Sequence, residues 1–267
     1  GFFHQENSAM NSTAPLSVSE RVSPFKRDPA LLPALAAVWI SLAVFVLYPV
    51  IRLFLVTFMA EGQFSFANLA AVLGNWYDRQ AFINSLWLAA AVSAAGTALG
   101  YAYAFAVSRI ALPSWVKWLL GAVTILPLIS PPFTSSIALT LSLGPNGILL
   151  KLLGIGNFNF YGFWGTWLSE TLTYFPVAFM TLAAILSAVD PNLEDAALSL
   201  GASPGRVFRT VTLPLSIPGI ANSVLLLFAG SLADFATPLV LAGHNFPVLP
   251  TQAYLQITGL FDLKGGA

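Results

Sequence analysis

Cysteine is absent from the 267 residues, so neither a disulfide nor a cysteine-ligated metal site can be built from them, and cysteine usage gives no reading of redox compartment. Histidine is almost absent: His4 and His244 are the two present, and no His-Glu-x-x-His pattern exists. A serine–histidine hydrolase working at membrane depth would need an imidazole that the apolar segments lack. There is no Gly-x-x-x-x-Gly-Lys-Ser/Thr run, so the phosphate-cradling loop of an ATPase is missing from the sequence. Charge is the largest deficit, at 8% of residues against about a quarter in a soluble domain. Net charge is zero, which gives no reason to expect nucleic acid as a partner or a polybasic membrane-surface mode. No metal site and no cofactor is expected.

Apolar residues fill the space left by charge: 57% of the chain is hydrophobic and the mean hydropathy is +0.79. This is the composition of an integral membrane protein. Residues 1–30 read as a polar tail, with Met10 as the expected start and no pattern of a cleaved signal peptide. Five apolar runs follow, each long enough to cross a hydrocarbon core that takes about 20 helical residues. They cover 31–58, 81–107, 119–141, 164–189 and 217–241. In the first, Pro49 is expected to kink the far end, and Arg52 to snorkel to the interface. In the second, Ala89, Ser93, Gly96 and Gly100 form a face of small residues suited to close helix approach. The centre of the third reads LPLISPPF, 126–133, and its prolines, Pro131 and Pro132 among them, predict broken helix at membrane depth. Such a break is tolerated against protein or a water-lined cavity, and both a gating role and a fixed kink are open.

Two carboxylates fall in apolar runs. Glu170 lies near the start of the fourth, where an interfacial position is expected ahead of a role in lining a solute path. Asp234 lies inside the fifth, ahead of Pro238, and reads equally as a path residue or as a buried hydrogen-bond acceptor. The basic residues set an orientation. With the N-terminus inside, Arg21, Lys26, Arg27, Arg109, Lys117, Arg206 and Arg209 are cytoplasmic, and Arg52, Arg79, Lys151 and Lys264 lie on the opposite side.

Between the fourth and fifth runs sits a polar island, DAALSLGASPGRVFRTVTLP, 195–214. Pro191 and Asn192 break the preceding apolar segment. Residues 193–200 then have helical spacing, with Glu194 and Asp195 in the first turn, where acidic groups complement the positive end of the helix dipole. Gly201 is expected to stop that helix as its C′ residue, and Ser203-Pro204-Gly205 to start a second. The expected shape is a short helix, a turn and a second helix start, lying across the membrane surface.

The spacing Asp195-Ala196-Ala197, Gly201, Val211, Leu213-Pro214 resembles the EAA loop of binding-protein-dependent ABC importer permeases. That pattern is Glu-Ala-Ala, three residues, Gly, nine residues, Ile, one residue, Leu-Pro. Asp195 stands for the usual Glu, with Glu194 one residue earlier, and Val211 for the usual Ile. The resemblance implies an all-α, MetI-like ABC permease bundle in the bacterial inner membrane, with five transmembrane helices present of an expected six or more. It divides the chain into the tail and a permease domain, 31–267, carrying the cytoplasmic loop at 190–216. A truncated permease, or the first half of a chain with two fused units, is expected.

The partners so implied are a cytosolic ABC ATPase dimer, a periplasmic solute-binding protein, a second permease unit, fused or separate, and membrane lipid. ATPase coupling is assigned to Glu194, Asp195, Ala196, Ala197, Gly201, Arg206, Val211, Leu213 and Pro214, with Arg209 beside them. The solute path is assigned to Asp234, Glu170, Pro131 and Pro132. The stretch at 231–258 is similar to ferric-iron-type permeases and points to ferric iron; polyamine, aminoalkylphosphonate and thiamine are the alternatives. An ATP-independent carrier or channel is the competing class.

Overall fold

The computed structural model describes residues 30–60, 63–131, 133–145, 147–155, 159–259 and 266. Most of the predicted tail, with Arg21, Lys26 and Arg27, lies outside the described residues, as do Pro132 and Lys264. The chain divides into two compact units, 1–64 and 65–267.

In the first unit, α1 (Leu31–Phe58) is a single apolar helix of 28 residues, with the bounds the sequence predicts. Pro49 has no N–H for the carbonyl four residues back, and its ring crowds that carbonyl. The helix absorbs this by widening into a π turn over Ala43–Leu47, where the Tyr48 N–H reaches back five residues to the Ala43 carbonyl. Two short antiparallel strands follow, β1 (Met59–Ala60) and β2 (Gln63–Phe64), with Phe58 stacked on Phe64.

The second unit opens with α2 (Ala67–Gly74) and then α3 (Trp76–Arg109). The segment between the first two apolar runs therefore contains helix. Asn75 caps α3 by accepting the Tyr77 N–H at 3.0 Å, which starts the helix five residues before the apolar run. At 34 residues, α3 is about 51 Å long. It overshoots a hydrocarbon core of about 30 Å, so its last turn carries Arg109 beyond the apolar layer.

The third predicted span, 119–141, is not one helix. It is α4 (Ser114–Ile129) and α5 (Thr134–Leu143), and the chain bends by 107° between Ser114–Ile129 and Thr134–Leu152. Pro131 forces Ser130, as the residue before proline, into extended backbone, φ −70° and ψ 144°, and the α4 hydrogen bonds stop there. A short helix, α6 (Ile148–Leu152), lies in the connection that follows.

The fourth span is α7 (Phe163–Ala188). Then come α8 (Pro191–Ser199), α9 (Pro204–Ala233), α10 (Ala236–Leu241) and α11 (Leu249–Gly259). The fifth span thus begins thirteen residues earlier than its apolar run and ends eight earlier, and α10 is a separate helix. Pro204 serves as a first-turn residue, and the helix continues through a π turn at Phe208–Thr212, so α9 runs from the island straight into the membrane segment.

The core of this unit is the packing of α3, α7 and α9. Ala104 of α3, Ala178, Leu182 and Leu186 of α7 and Leu227 of α9 form one buried cluster. The small-residue face of α3 is buried as expected: Ala89, Ser93, Gly96 and Gly100 all lie inside. A Cβ on Gly100 would meet Ala178 Cβ at 2.7 Å and the Phe179 backbone nitrogen at 2.8 Å, so α3 and α7 touch backbone to backbone there. At the opposite end of α3, Leu249 N–H donates to Ser85 Oγ (2.8 Å) and Gln256 to Asp78 (3.1 Å), which holds α11 against the first turns of α3.

Candidate functional site

Two sets of polar groups stand out, one at the end of the bundle and one within it. The first is the island. Asp190 caps α8 by accepting the Asn192 N–H at 2.9 Å, and Pro191 is its first residue, so Pro191 starts this helix rather than breaking the previous one. At the other end, Gly201 adopts φ +85°. Its N–H bonds to the Leu198 carbonyl at 2.9 Å and the Ala202 N–H to the Ala197 carbonyl at 3.1 Å. This pair of bonds is a Schellman motif, the C-terminal arrangement for which glycine is favoured because it enters the left-handed region without a Cβ penalty.

The faces of α8 are sharply divided. Asp195, Ala196, Leu193, Leu198 and Leu200 are exposed, Leu200 at 89%. Glu194 and Ala197, three residues apart and therefore on one face, are half-buried. Glu194 Oε1 accepts from Arg109 Nε at 3.1 Å and from Thr212 Oγ1 at 2.7 Å. Arg109 also donates through Nη2 to the Val189 carbonyl, 3.3 Å, where α7 ends. Arg206 and Arg209 are exposed on the first turns of α9; Val211 and Leu213 are half-buried, and Pro214 is exposed.

Of the residues assigned to coupling from sequence, Asp195 and Ala196 lie on the outer face of α8 with Gly201 just past its end. Glu194 points the other way, into the bundle. Arg109 and Thr212 were not singled out from sequence. In the sequence Arg109 is one more cytoplasmic cation, and Thr212 carries no signal of its own.

The second set lies within the apolar layer. Glu170 has 0% exposure, and Ser231 Oγ donates to its Oε2. Among the described residues its Oε1 has no partner. The interfacial position expected for Glu170 is therefore not what the structure has: it lies in the second turn of α7, on the side facing α9, and packing excludes it from the surface. Asp234 is not inside a helix. It ends α9 in extended backbone, φ −73° and ψ 116°, and accepts the Thr237 N–H at 3.1 Å, capping the first turn of α10.

Tyr174, one turn along α7 from Glu170, lies with its ring against Gly230, four residues before Asp234. Nearby, Ser136 of α5 and Ser169 of α7 share a hydrogen bond of 3.3 Å. Four helices, α5, α7, α9 and α10, thus contribute polar groups to one region. Pro131 lies at the exposed turn between α4 and α5. Among the described residues no three His, Cys, Asp or Glu side chains come together as a metal-binding group.

Comparison with known proteins follows the same lines. Residues 96–260, more than half of the chain, match the family described as binding-protein-dependent transport system inner membrane component. The ferric transport system permease protein FbpB of Actinobacillus pleuropneumoniae is 34% identical over 237 residues, 87% of this chain and 34% of that protein. A putative ferric transport permease of Haemophilus influenzae is 33% identical over 238 residues, 87% of this chain and 37% of its own length. The chain spans about a third of the length of these two relatives. The molybdenum transport system permease protein ModB of Haemophilus influenzae is 34% identical over 186 residues, 63% of this chain and 81% of that one.

Among solved structures, a bacterial alginate ABC transporter in complex with its periplasmic protein superimposes with a TM-score of 0.77 over 92% of this chain and 88% of the other, at 17% identity. That likeness establishes the fold. The helices, the apolar spans and the matched segment agree: the chain is a multi-pass membrane protein and belongs to the family of binding-protein-dependent transport system inner membrane components, the permeases of ABC importers, with sequence similarity to ferric-type members.

Proposed function

We propose that this chain forms part of the solute path of an ATP-driven importer and receives its drive through α8. The observation that carries this reading is the outer face of α8: an exposed carboxylate, an alanine and two leucines on a nine-residue helix held at the end of the bundle, with exposed Leu200 at its C-cap. Exposed leucines outside the apolar layer are unfavourable unless something covers them, and a groove on a separate ATPase would do so. Ala196 keeps that face shallow for close docking, Asp195 offers a charge to a basic partner, and Arg206 and Arg209 flank it for acidic residues or lipid headgroups. ATP hydrolysis then belongs to a cytosolic ATPase pair. A periplasmic binding protein delivers solute to the opposite end, and a second permease unit, fused or separate, completes the path.

The proposed solute is ferric iron. Similarity to ferric transport permeases over 87% of the chain supports it, and so does the pair of carboxylates, Glu170 and Asp234, in the region where α7, α9 and α10 meet. The break at Pro131 and the turn at Asp234 are the proposed places where the path bends. A second reading, an oxyanion, is supported by similarity to the molybdenum permease, but that similarity covers 63% of this chain against 87% for the ferric permease.

The test is reconstitution of the full-length protein with its co-purified ATPase in proteoliposomes, supplied with the binding protein. ATP-dependent uptake of ferric iron, and not of molybdate, is expected. Uptake of molybdate would move the assignment to the second reading, and uptake that continues without ATPase would favour a carrier.

A further inference from the structure

Glu194 and Asp195 are adjacent acidic residues at the start of α8, yet the structure gives them opposite surroundings. Asp195 is exposed. The Glu194 side chain is 18% exposed and pairs with Arg109, itself 13% exposed. One carboxylate oxygen takes two donors from two other helices: Arg109 at the end of α3 and Thr212 in α9. Through its second contact, on the Val189 carbonyl, Arg109 also holds the end of α7. Two of the three core helices therefore meet on a single side chain of α8, and the third is tied to it through Arg109.

Thr212 reaches Glu194 because of the local backbone. Residues Phe208–Thr212 form a π turn, and the Leu213 N–H reaches back five residues to Phe208. Pro214 follows, as Pro49 follows the π turn of α1, and for the same reason: it has no N–H to give the carbonyl four residues back. A π turn accommodates one extra residue, and each residue of an α-helix turns the side-chain direction by about 100°. Side chains before Pro214 thus occupy a different face from the one an unbroken α-helix would give them. In that register Thr212 is buried against Glu194, and Phe208 packs edge-on against Tyr101 and Phe105 of α3, with ring centroids at 6.2 and 5.4 Å.

We propose that Glu194 is a positioning residue that clamps α8 to the ends of α3, α7 and α9, and that the π turn before Pro214 is the device that brings Thr212 into the clamp. Asp195 is then the acidic residue free to meet a partner. A push on the outer face of α8 is carried into the spans through the Glu194 carboxylate. The mechanical part of this inference rests on α8 being the docking element; the clamp itself does not.

The experiment uses the full-length protein in nanodiscs, with and without its ATPase. Amide exchange of 191–199 reports the clamp, and solute taken up per ATP hydrolysed reports coupling. Glu194→Ala and Thr212→Val are expected to speed exchange of α8 on the order of tenfold or more, since each removes a hydrogen bond involving a charged group. Both should lower uptake per ATP while ATP hydrolysis continues. Thr212→Ser keeps the hydroxyl and is expected to behave as wild type in both readouts. Pro214→Ala, which lets an ordinary helical turn re-form, is expected to resemble Thr212→Val.

Unchanged exchange in both Glu194→Ala and Thr212→Val overturns the proposal, as does equal behaviour of Thr212→Ser and Thr212→Val. Should Glu194→Ala fail to fold, the two Thr212 variants decide. If wild-type protein binds no ATPase, the docking reading fails, and exchange still decides the clamp.

Discussion

Gly201 sits in left-handed backbone, φ +85°, with nothing within 4 Å of where a Cβ would be. The space is open, so any penalty on substitution comes from the backbone and not from a neighbour. An L-residue held in that region costs about 1–2 kcal/mol, least for Asn and Asp and most for β-branched side chains. Gly201→Val is therefore expected to lose more ATP-driven uptake than Gly201→Asn at equal amounts in the membrane. Gly201→Asp is expected to impair uptake through an added charge beside the docking face. Equal losses for Val and Asn would exclude the turn geometry as the cause. Glu170 offers a second contrast. Ser231 is the one hydroxyl donor to its buried carboxyl among the described residues. Ser231→Ala leaves both oxygens unpartnered, an expected loss of about 1–3 kcal/mol. In a chain of this size that lowers Tm by about 2–4 °C per kcal/mol. Glu170→Gln keeps an acceptor for Ser231 and is expected to lose less. A wild-type Tm for Ser231→Ala, measured in detergent, would remove the bond from the account of stability.

Where two helices touch backbone to backbone, a single methyl group should separate them. Gly100 faces Ala178 Cβ and the Phe179 nitrogen, neither of which can move without moving α7, whereas Gly96 faces the tip of the Leu227 side chain, which can turn away. Gly100→Ala is accordingly expected to lower Tm clearly more than Gly96→Ala, and equal effects would mean that α3 and α7 shift freely past each other. This face was legible in sequence because small residues four and three apart have one obvious use in lipid. So were α1 and the stop at Gly201, both of which depend on local chemistry, whereas the Asp190 cap was not, because Pro191 reads there as a breaker. The extent of α9 was not legible. Its first turns are polar, and an apolar-run criterion discards them although the backbone continues. The burial of Glu170 and the inward turn of Glu194 were also hidden, because each depends on a partner more than 15 residues away, Ser231 in one case and Arg109 and Thr212 in the other. The π turns were within reach of sequence: a proline two residues into a resumed helix requires a preceding carbonyl to go unpaired or the ladder to widen, and both Pro49 and Pro214 chose the second.

At the scale of the molecule, orientation follows from which groups share an end. Arg109 pairs with Glu194, and Arg206 and Arg209 follow α8 directly, so three cations of the set expected inside cluster at the α8 end of the bundle. Arg79, from the opposite set, lies in the first turn of α3, over Trp76 at 5.1 Å, at the far end of a helix about 51 Å long. If positive residues are retained on the cytoplasmic side, the α8 end faces the cytosol and the α3 start faces out. The absence of cysteine from these 267 residues makes this measurable, since an introduced cysteine is then the sole thiol among them. Leu200→Cys, at the exposed end of α8, is expected, in cells without the ATPase, to react with a membrane-impermeant maleimide only after the cells are permeabilised. Tyr161→Cys, in the exposed connection before α7, is expected to react in intact spheroplasts. The two sites lie at opposite ends of α7, so labelling of both from one side would be incompatible with α7 crossing the membrane. A reversed pattern would keep the crossing and turn the bundle over, leaving α8 on the wrong side of the membrane for any cytosolic ATPase.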